Sequence, residues 1–319
     1  MRVSLVCTVL NEEDSINPLL DSILAQRRQP DEVVIVDGGS RDRTVERLRR
    51  YQDGLPLKIV FEPGCNISQG RNRAIRAATG DIIVSTDAGV ILGPKWVEDL
   101  IAPFGRKPGP AVVCGFFVAD PRTPFEIALG AATLPNLEEI DPARVLPSSR
   151  SVAFTREAWL AAGGYPEWLD YCEDLVFDMK LRKAGSLFAW APGAIVRFRP
   201  RSSLAAFFRQ YYHYARGDGK ADLWRKRHAI RYASHWLGLV FLAAGWWQPW
   251  AWLLLVAGAA AYLYRPYLRL MPHLGKLSAT QRLSAILWIP LIRLTGDFAK
   301  MIGYPAGLRW RRKNKHEWR

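Results

Sequence analysis

The stretch EVVIVDGGSRDRTVERLRRY, residues 32–51, decides the fold. An apolar, β-branched run over 32–36 reads as a buried strand and ends at Asp37. Gly38 and Gly39 permit a tight turn, and Ser40 can cap the helix expected over 41–51. A strand that runs through a glycine turn into a helix leaves the Asp37 carboxylate at the strand's carboxyl end.

The same succession recurs on both sides. Strands are expected at 3–10, 57–61, 81–85 and 111–118, and helices at 15–26, 68–79 and 94–104, the first and last opening at Ser15 and Pro94. Strand and helix in alternation predict an α/β domain with a doubly wound, mostly parallel sheet. Ligands of such sheets sit beyond the carboxyl ends of the strands. Asn11 and Glu12, Asp37 to Ser40, and Asp87 to Gly89 all fall there. Residues 121–200 are less regular: a strand-like 151–154, the turn Gly163-Gly164-Tyr165-Pro166 and a helix-like 173–183 are expected to complete the cleft and receive a second substrate.

The chain has 319 residues, of which 49% are hydrophobic and 12% aromatic, so a disordered chain is excluded. A net charge of +14 favours anionic partners such as phosphates or acidic lipid headgroups. Cys7, Cys65, Cys114 and Cys172 lack zinc or disulfide spacing, and the five histidines lack metal-site spacing, so reduced thiols in a cytosolic setting are expected. No secretory signal is expected at the N-terminus.

The composition changes past Arg201. Residues 236–264 carry no charge but are interrupted at Gln248-Pro249. Basic flanks on both sides (Arg225, Lys226, Arg227 and Arg231; Arg265, Arg269 and Lys276) favour a hairpin over about 232–264 that enters a membrane and returns on the same side. Each arm is shorter than the ~20 residues a span needs, so a shallow or re-entrant hairpin is expected, with Trp246, Trp247 and Trp250 at its turn. Residues 281–304 read as an amphipathic helix lying in the membrane interface, because Arg293, Asp297 and Lys300 interrupt its apolar run. The terminal run from Trp310 to Lys315 adds a basic tail suited to anionic headgroups. These basic residues sit beside apolar stretches and not along an aromatic sheet face, so no nucleic-acid partner is expected.

The motifs in order, Thr8-Val9-Leu10-Asn11-Glu12-Glu13, Val36 to Thr44, Gly70-Arg71-Asn72-Arg73-Ala74-Ile75, Thr86-Asp87-Ala88-Gly89 and Glu173-Asp174-Leu175, resemble the successive blocks of family 2 glycosyltransferases of the GT-A fold. The resemblance covers about residues 2–217, taken as the catalytic domain: 1–120 the nucleotide-sugar half, 121–200 the acceptor half and 201–217 an interfacial helix. Residues 218–319 form the membrane-associated helical region.

The resemblance implies a donor site for a UDP- or GDP-sugar, with Leu10, Asn11 and Glu12 lining the nucleotide pocket and Asp37 and Gly39 at the base. Arg71 would approach the nucleotide. Asp87, with Ala88 and Gly89, would hold the ribose and a divalent cation (Mg²⁺ or Mn²⁺). Asp174 would be the catalytic base, with Glu173 beside it. Val152, Ala153 and Phe154, with Gly164 and Tyr165, resemble the acceptor side. Gln210, Tyr211, Tyr214 and Arg216 lie where relatives carry a helix closing over the diphosphate.

The implied reaction is an inverting sugar transfer to a lipid-linked or glycan acceptor, in cell-envelope glycan or glycolipid synthesis at the cytoplasmic face of a bacterial inner membrane. Transfer to polyprenyl phosphate itself, and a catalytically weak scaffold that binds the sugar nucleotide, are the alternatives. Two residues depart from the pattern. Gly89 stands where a second acid is usual, and Arg197 stands where many relatives carry a His. Arg197, with Arg199, Arg201 or Arg216, is therefore a candidate to take over part of a metal's role, because guanidinium pairs bidentately with phosphate oxygens.

Overall fold

The structure is a computed structural model and describes residues 1–318. It divides into two compact units, residues 1–120 with 137–199, and residues 121–136 with 200–319. The boundary expected after 217 falls inside a continuous helix, Leu204–Ala221.

The first unit is built on one eight-stranded sheet. Its strands are β1 (Val3–Val9), β2 (Glu32–Asp37), β3 (Leu57–Phe61), β4 (Ile82–Ser85), β5 (Val90–Leu92), β6 (Val112–Ala119), β7 (Val152–Thr155) and β8 (Phe188–Phe198). They lie in the order β3-β2-β1-β4-β7-β6-β8-β5. β1, β2, β3 and β4 pair in parallel, as do β6 and β8, whereas β7 runs antiparallel to both its neighbours and β5 antiparallel to β8. The five expected strands are all present. β5 and β8 are additions to them, hidden in the sequence because Val90–Leu92 is very short and Pro192-Gly193 interrupts the alternation of β8.

Alternating side chains feed a core on each face of the sheet. Val3, Leu5, Cys7 and Val9 join Val33, Ile35 and Val84 on one face; Val6, Val34, Val36 and Ile83 join Phe154 and Phe177 on the other. The first face is covered by α1 (Ile16–Leu24), α2 (Thr44–Arg49) and α4 (Trp96–Ile101), the second by α3 (Ile67–Ala77), α6 (Arg156–Ala161) and α7 (Glu173–Lys183). α2 begins at Thr44 and not at 41, because the Asp42 carboxylate accepts hydrogen bonds from the Thr44 amide and hydroxyl and turns the chain first.

The second unit is helical: α5 (Pro124–Thr133), α8 (Leu204–Ala221), α9 (Arg225–Ala244), α10 (Trp250–Leu274), α11 (Ala279–Lys313) and α12 (Lys315–Trp318). Its core joins Phe125, Leu129, Phe207, Leu270, Ile289 and Ile292. α8 and α11 approach through glycines. A Cβ at Gly303 would lie 2.3 Å from the Tyr212 carbonyl oxygen, and one at Gly307 would lie 2.1 Å from that of Arg216.

α9 and α10 form a helical hairpin over the expected segment, with exposed Trp246 and Trp247 at the turn, but its arms extend to Arg225 and Leu274 and, at 20 and 25 residues, are not the short arms expected. Among the described residues no helix is long and apolar enough to cross a membrane. The expectation for 281–304 needs correction. Its charges do not face outward; they close a network inside the unit. Asp297, 7% exposed, accepts hydrogen bonds from Arg231 Nε at 2.8 Å and the Tyr262 hydroxyl at 2.7 Å. Burial, with Arg231 close by, pulls the Lys300 ammonium down to about 8. The outward face of α11 is apolar instead, with Leu283, Leu287, Leu291, Leu294, Phe298 and Ile302 recurring every three or four residues.

Because the atoms that a Cβ would meet at Gly303 and Gly307 are backbone, Gly307→Ala is expected to cost roughly 1–3 kcal/mol, read as a lower midpoint of chemical denaturation. Gly258→Ala on α10, where a Cβ meets nothing, is expected to change the midpoint little or raise it.

Candidate active site

The site is built on the carboxyl edge of β1, β2 and β4. β2 ends at Asp37, which is almost fully buried; its Oδ1 accepts from the Gly39 and Ser40 amides, both at 3.0 Å. Gly39 has φ +99°, a conformation that favours glycine, so the carboxylate caps its own turn. The other oxygen, Oδ2, is buried with no hydrogen-bond partner among the described residues, as suits a contact to a ligand donor.

After β1, Asn11 takes φ +54° and ties two loops together: its amide donates to the Ser40 hydroxyl and its side-chain oxygen accepts from the Arg41 amide, both at 2.9 Å. The Glu12 amide donates to the Thr44 hydroxyl at 2.8 Å, while Leu10 is exposed. These three residues thus frame the sheet edge beside Asp37.

Arg71 occupies the centre. Asn66 opens α3 with a capping box that includes Gln69. Gly70 lets the helix pack on β1, since a Cβ there would lie 2.4 Å from the Thr8 methyl group. The next residue is thereby carried under the sheet edge. Arg71 is 3% exposed, its Nη2 donates to Asp87 Oδ1 at 2.5 Å, and its Nη1 donates to Glu173 Oε1. Asp87 follows β4 and Glu173 opens α7, so one guanidinium joins the two acids that the sequence assigns to donor and base blocks. Burial opposes the charge on Arg71, but the carboxylates of Asp87 and Glu173 outweigh it and keep the guanidinium protonated. The sequence places Arg71 at the nucleotide; the structure shows it holding acids. That role is not readable from spacing, because the partners lie 16 and 102 residues away.

Asp174, next to Glu173, is half-buried and its Oδ1 accepts from the Leu175 amide at 2.8 Å. Glu173 is turned inward, and burial pushes its carboxyl up to about 7 despite Arg71. One turn further on, Asp178 is buried with Oδ2 unpartnered among the described residues, and burial, with Asp174 nearby, raises it well above the usual carboxylate range. Nothing in the sequence distinguishes Asp178 from a solvated helix residue.

The second oxygen of Asp87 lies 3.5 Å from Arg150 Nε, and Arg150 stacks on Phe198 at 4.8 Å. Ala88 packs against the sheet core, and Gly89 has φ +75°, which explains in part why no acidic side chain stands there. Among the described residues no three His, Cys, Asp or Glu side chains group as a metal cage. One carboxylate shared with two arginines suits only a cation held chiefly by a ligand's phosphates. Arg197 is exposed on β8, in register with Ile91 of β5 and Val118 of β6, on the strand that pairs with the segment following Asp87.

The acceptor-side expectation fails for several residues. Val152, Ala153 and Phe154 form β7 in the middle of the sheet and point into its two cores. Tyr165 is buried, its ring stacked on Phe177 at 4.2 Å and its hydroxyl 3.0 Å from Ser149. Gly164 lets the Tyr165 turn approach Asn72, whose side chain takes the Tyr165 amide at 2.9 Å and donates to its carbonyl oxygen at 2.9 Å. These groups brace α3 and α7 and are not open to an acceptor. Gln210, Tyr211, Tyr214 and Arg216 lie on α8 of the second unit, where Gln210 donates to the Tyr214 hydroxyl at 2.8 Å and Lys300 sits over the Tyr211 ring at 4.7 Å.

A doubly wound sheet with acids at its carboxyl edge and an antiparallel strand inserted beside β4 defines the GT-A class of nucleotide-sugar transferase folds. Residues 4–156 match the model described as Glycosyl transferase family 2, and this part of the chain is a family 2 glycosyltransferase domain. Among curated proteins, the chain is 32% identical over 127 residues to a validoxylamine A glucosyltransferase of Streptomyces hygroscopicus subsp. limoneus, covering 38% of this chain and 28% of that one. It is 29% identical over 180 residues to a glucosyl-dolichyl phosphate glucuronosyltransferase of Haloferax volcanii, covering 52% and 56%. The chain therefore spans between about a quarter and about half of the length of these relatives. Among solved structures, the mannosyltransferase PcManGT of Pyrobaculum calidifontis, in complex with GDP-Man and Mn²⁺, aligns at TM-score 0.55 and 23% identity, over 94% of this chain and 87% of that one. S. aureus TarS 1-349 aligns at TM-score 0.52 and 18% identity, over 98% and 92%.

The raised Glu173 carboxyl has a consequence for stability. Its folded pKa of about 7 lies above the unfolded value of 4.5, so the folded chain binds the extra proton between those limits. This contribution is fully present below the unfolded value and is lost as pH rises to about 7. Glu173→Gln is expected to flatten that part of the curve of unfolding free energy against pH; an unchanged slope would assign it to other groups.

Proposed function

We propose that this chain is an inverting glycosyltransferase that moves a sugar from a UDP- or GDP-sugar to a lipid-linked, membrane-proximal acceptor. The observation that carries this reading is the Asp87–Arg71–Glu173 bridge with Asp174 beside it, which ties the donor-side acid to the base-bearing helix. Asp174 takes the proton of the acceptor hydroxyl as its oxygen attacks the anomeric carbon. The bond from that carbon to the diphosphate breaks with its electron pair leaving on the diphosphate, and one displacement inverts the anomeric centre. Glu173 is committed to Arg71, so Asp174 is the base and Glu173 a positioning residue.

Asp37 receives the base or ribose of the nucleotide through its unpartnered oxygen. A divalent cation, Mg²⁺ or Mn²⁺, would be held by Asp87 together with the donor's phosphates, and would stabilise the charge of the leaving group. Exposed Arg197 can supply positive charge to the same phosphates. PcManGT, whose fold this chain shares, is in complex with GDP-Man and Mn²⁺, which supports a nucleotide-sugar donor and a metal.

Two observations favour a lipid-linked acceptor. Relatives include an enzyme named for glucosyl-dolichyl phosphate and one named as an undecaprenyl-phosphate 4-deoxy-4-formamido-L-arabinose transferase, 35% identical over 107 residues in Pectobacterium carotovorum. The second name also supports polyprenyl phosphate itself as an acceptor. The helices of the second unit expose Trp236, Leu239, Leu253, Val256 and the apolar face of α11, more apolar surface than a monomer in water normally carries. We place this surface in the headgroup region of an anionic membrane, with the catalytic unit on the cytoplasmic side of a bacterial inner membrane and its product in the cell envelope.

A sugar-nucleotide turnover assay tests the reading. Asp174→Asn is expected to lower the turnover number about 10²- to 10⁴-fold while donor binding persists. Retention of turnover by that variant would remove the assignment. In the same assay EDTA separates the sources of positive charge: partial activity in EDTA that is lost in Arg197→Ala assigns part of the cation's role to Arg197. Complete loss in EDTA with an unaffected Arg197→Ala assigns all of it to the metal.

A further inference from the structure

The second unit holds a cavity of about 520 Å³, made by residues of α9, α11 and α12 and the turn before α9. Four cations line it: Arg225, Arg311, Arg312 and Lys315. The acid of the lining, Asp222, is already taken by Arg225, whose Nε donates to Oδ1 at 2.6 Å. His228 in the wall faces Asp218, 3.1 Å from its Nε2. Among the described lining residues three cations therefore remain in excess, where low-dielectric walls strengthen their field.

The cations are not an ordinary solvated run. Arg311 Cζ lies over the Trp318 ring, 3.5 Å from its centroid, and Nη1 donates to the Lys220 carbonyl oxygen at 2.8 Å, so the guanidinium is held in place before any ligand arrives. Tyr304 also lines the cavity, stacked on His228 at 3.8 Å. It is 6% exposed, yet its hydroxyl has no hydrogen-bond partner among the described residues. A buried donor left unmade is costly, and native structures keep few of them without a purpose.

The geometry points to a phosphate-binding site in this cavity, for the phosphate or diphosphate group of a lipid headgroup or of a soluble phosphoester. Guanidinium forks match phosphate oxygens bidentately, Lys315 adds a point charge, and Tyr304 supplies a neutral donor. Leu308 and Ala229 give the wall an apolar component, and exposed Ile230 and Ile302 on the same two helices suit a headgroup whose chains lie against them. None of these residues belongs to the acid cluster of the first unit, so the inference stands or falls apart from the glycosyltransferase reading.

The test uses the full chain, inorganic pyrophosphate as the soluble probe, and phosphatidylcholine vesicles with and without phosphatidylglycerol. Arg312→Gln combined with Lys315→Gln changes two exposed side chains and leaves the packing intact. It is expected to weaken pyrophosphate binding, measured by calorimetry, by about tenfold or more. Tyr304→Phe is expected to weaken it severalfold without lowering the unfolding midpoint. Loss of retention on the anionic vesicles in both variants, with pyrophosphate competing, identifies a lipid headgroup. Undiminished retention with weakened pyrophosphate binding identifies a soluble phosphoester. Binding of both probes unchanged in the variants, or a loss seen with the charge variant alone and not with Tyr304→Phe, would overturn the site and leave a basic surface.

Discussion

The structure of the first unit depends on one buried guanidinium. Arg71 is out of water, and an unpaired charge there would be prohibitive, so the chain must present two carboxylates to it in fixed places. Asp87 arrives from the end of β4 and Glu173 from the start of α7. Removing one partner of such an arrangement typically costs about 3–5 kcal/mol, because the remaining charge is left uncompensated. The surrounding details serve this constraint. The Asn66 capping box starts α3, Gly70 lets it reach the sheet, and Asn72 and Tyr165 clamp it to the turn that precedes α7. Because Asp174 follows Glu173 on the same helix, fixing Glu173 also fixes Asp174, the proposed base.

The second unit solves a different problem with related physics. α8 and α11 touch backbone to backbone through glycines, which leaves little room for apolar side chains between them. Beside its apolar core the interior is also cross-linked by Asp297, Arg231 and Tyr262, drawn from α11, α9 and α10. Leucines line the outside of α11, the surface that the proposed membrane contact would cover.

How much of this the sequence discloses follows from the range of the interactions involved. β1 to β4 and β6 are legible because each is a short, mostly apolar run rich in Val and Ile, and the turn at Asp37 is legible because its glycines and capping serine are local. Asp87, Glu173 and Asp174 can be located because each ends a strand or opens a helix. β8 is hidden by Pro192 and Gly193, where its pairing with β6 also shifts register. The resemblance puts Val152 to Phe154 on the acceptor side, yet proximity in sequence does not tell that a strand lies between two others. The charges of α11 read as solvent-facing because charge is normally exposed; their partners Arg231 and Tyr262 are dozens of residues away and give no local sign.

The central claim is that Arg71 and Glu173 act as one unit in setting up the base. The direct measurement is a double-mutant cycle in kcat/KM with Arg71→Met, Glu173→Gln and the two combined. Strong non-additivity is expected, with the double variant little worse than the poorer single one, because either change alone already breaks the bridge. Effects that add to within about 0.5 kcal/mol would show two independent residues and contradict the account.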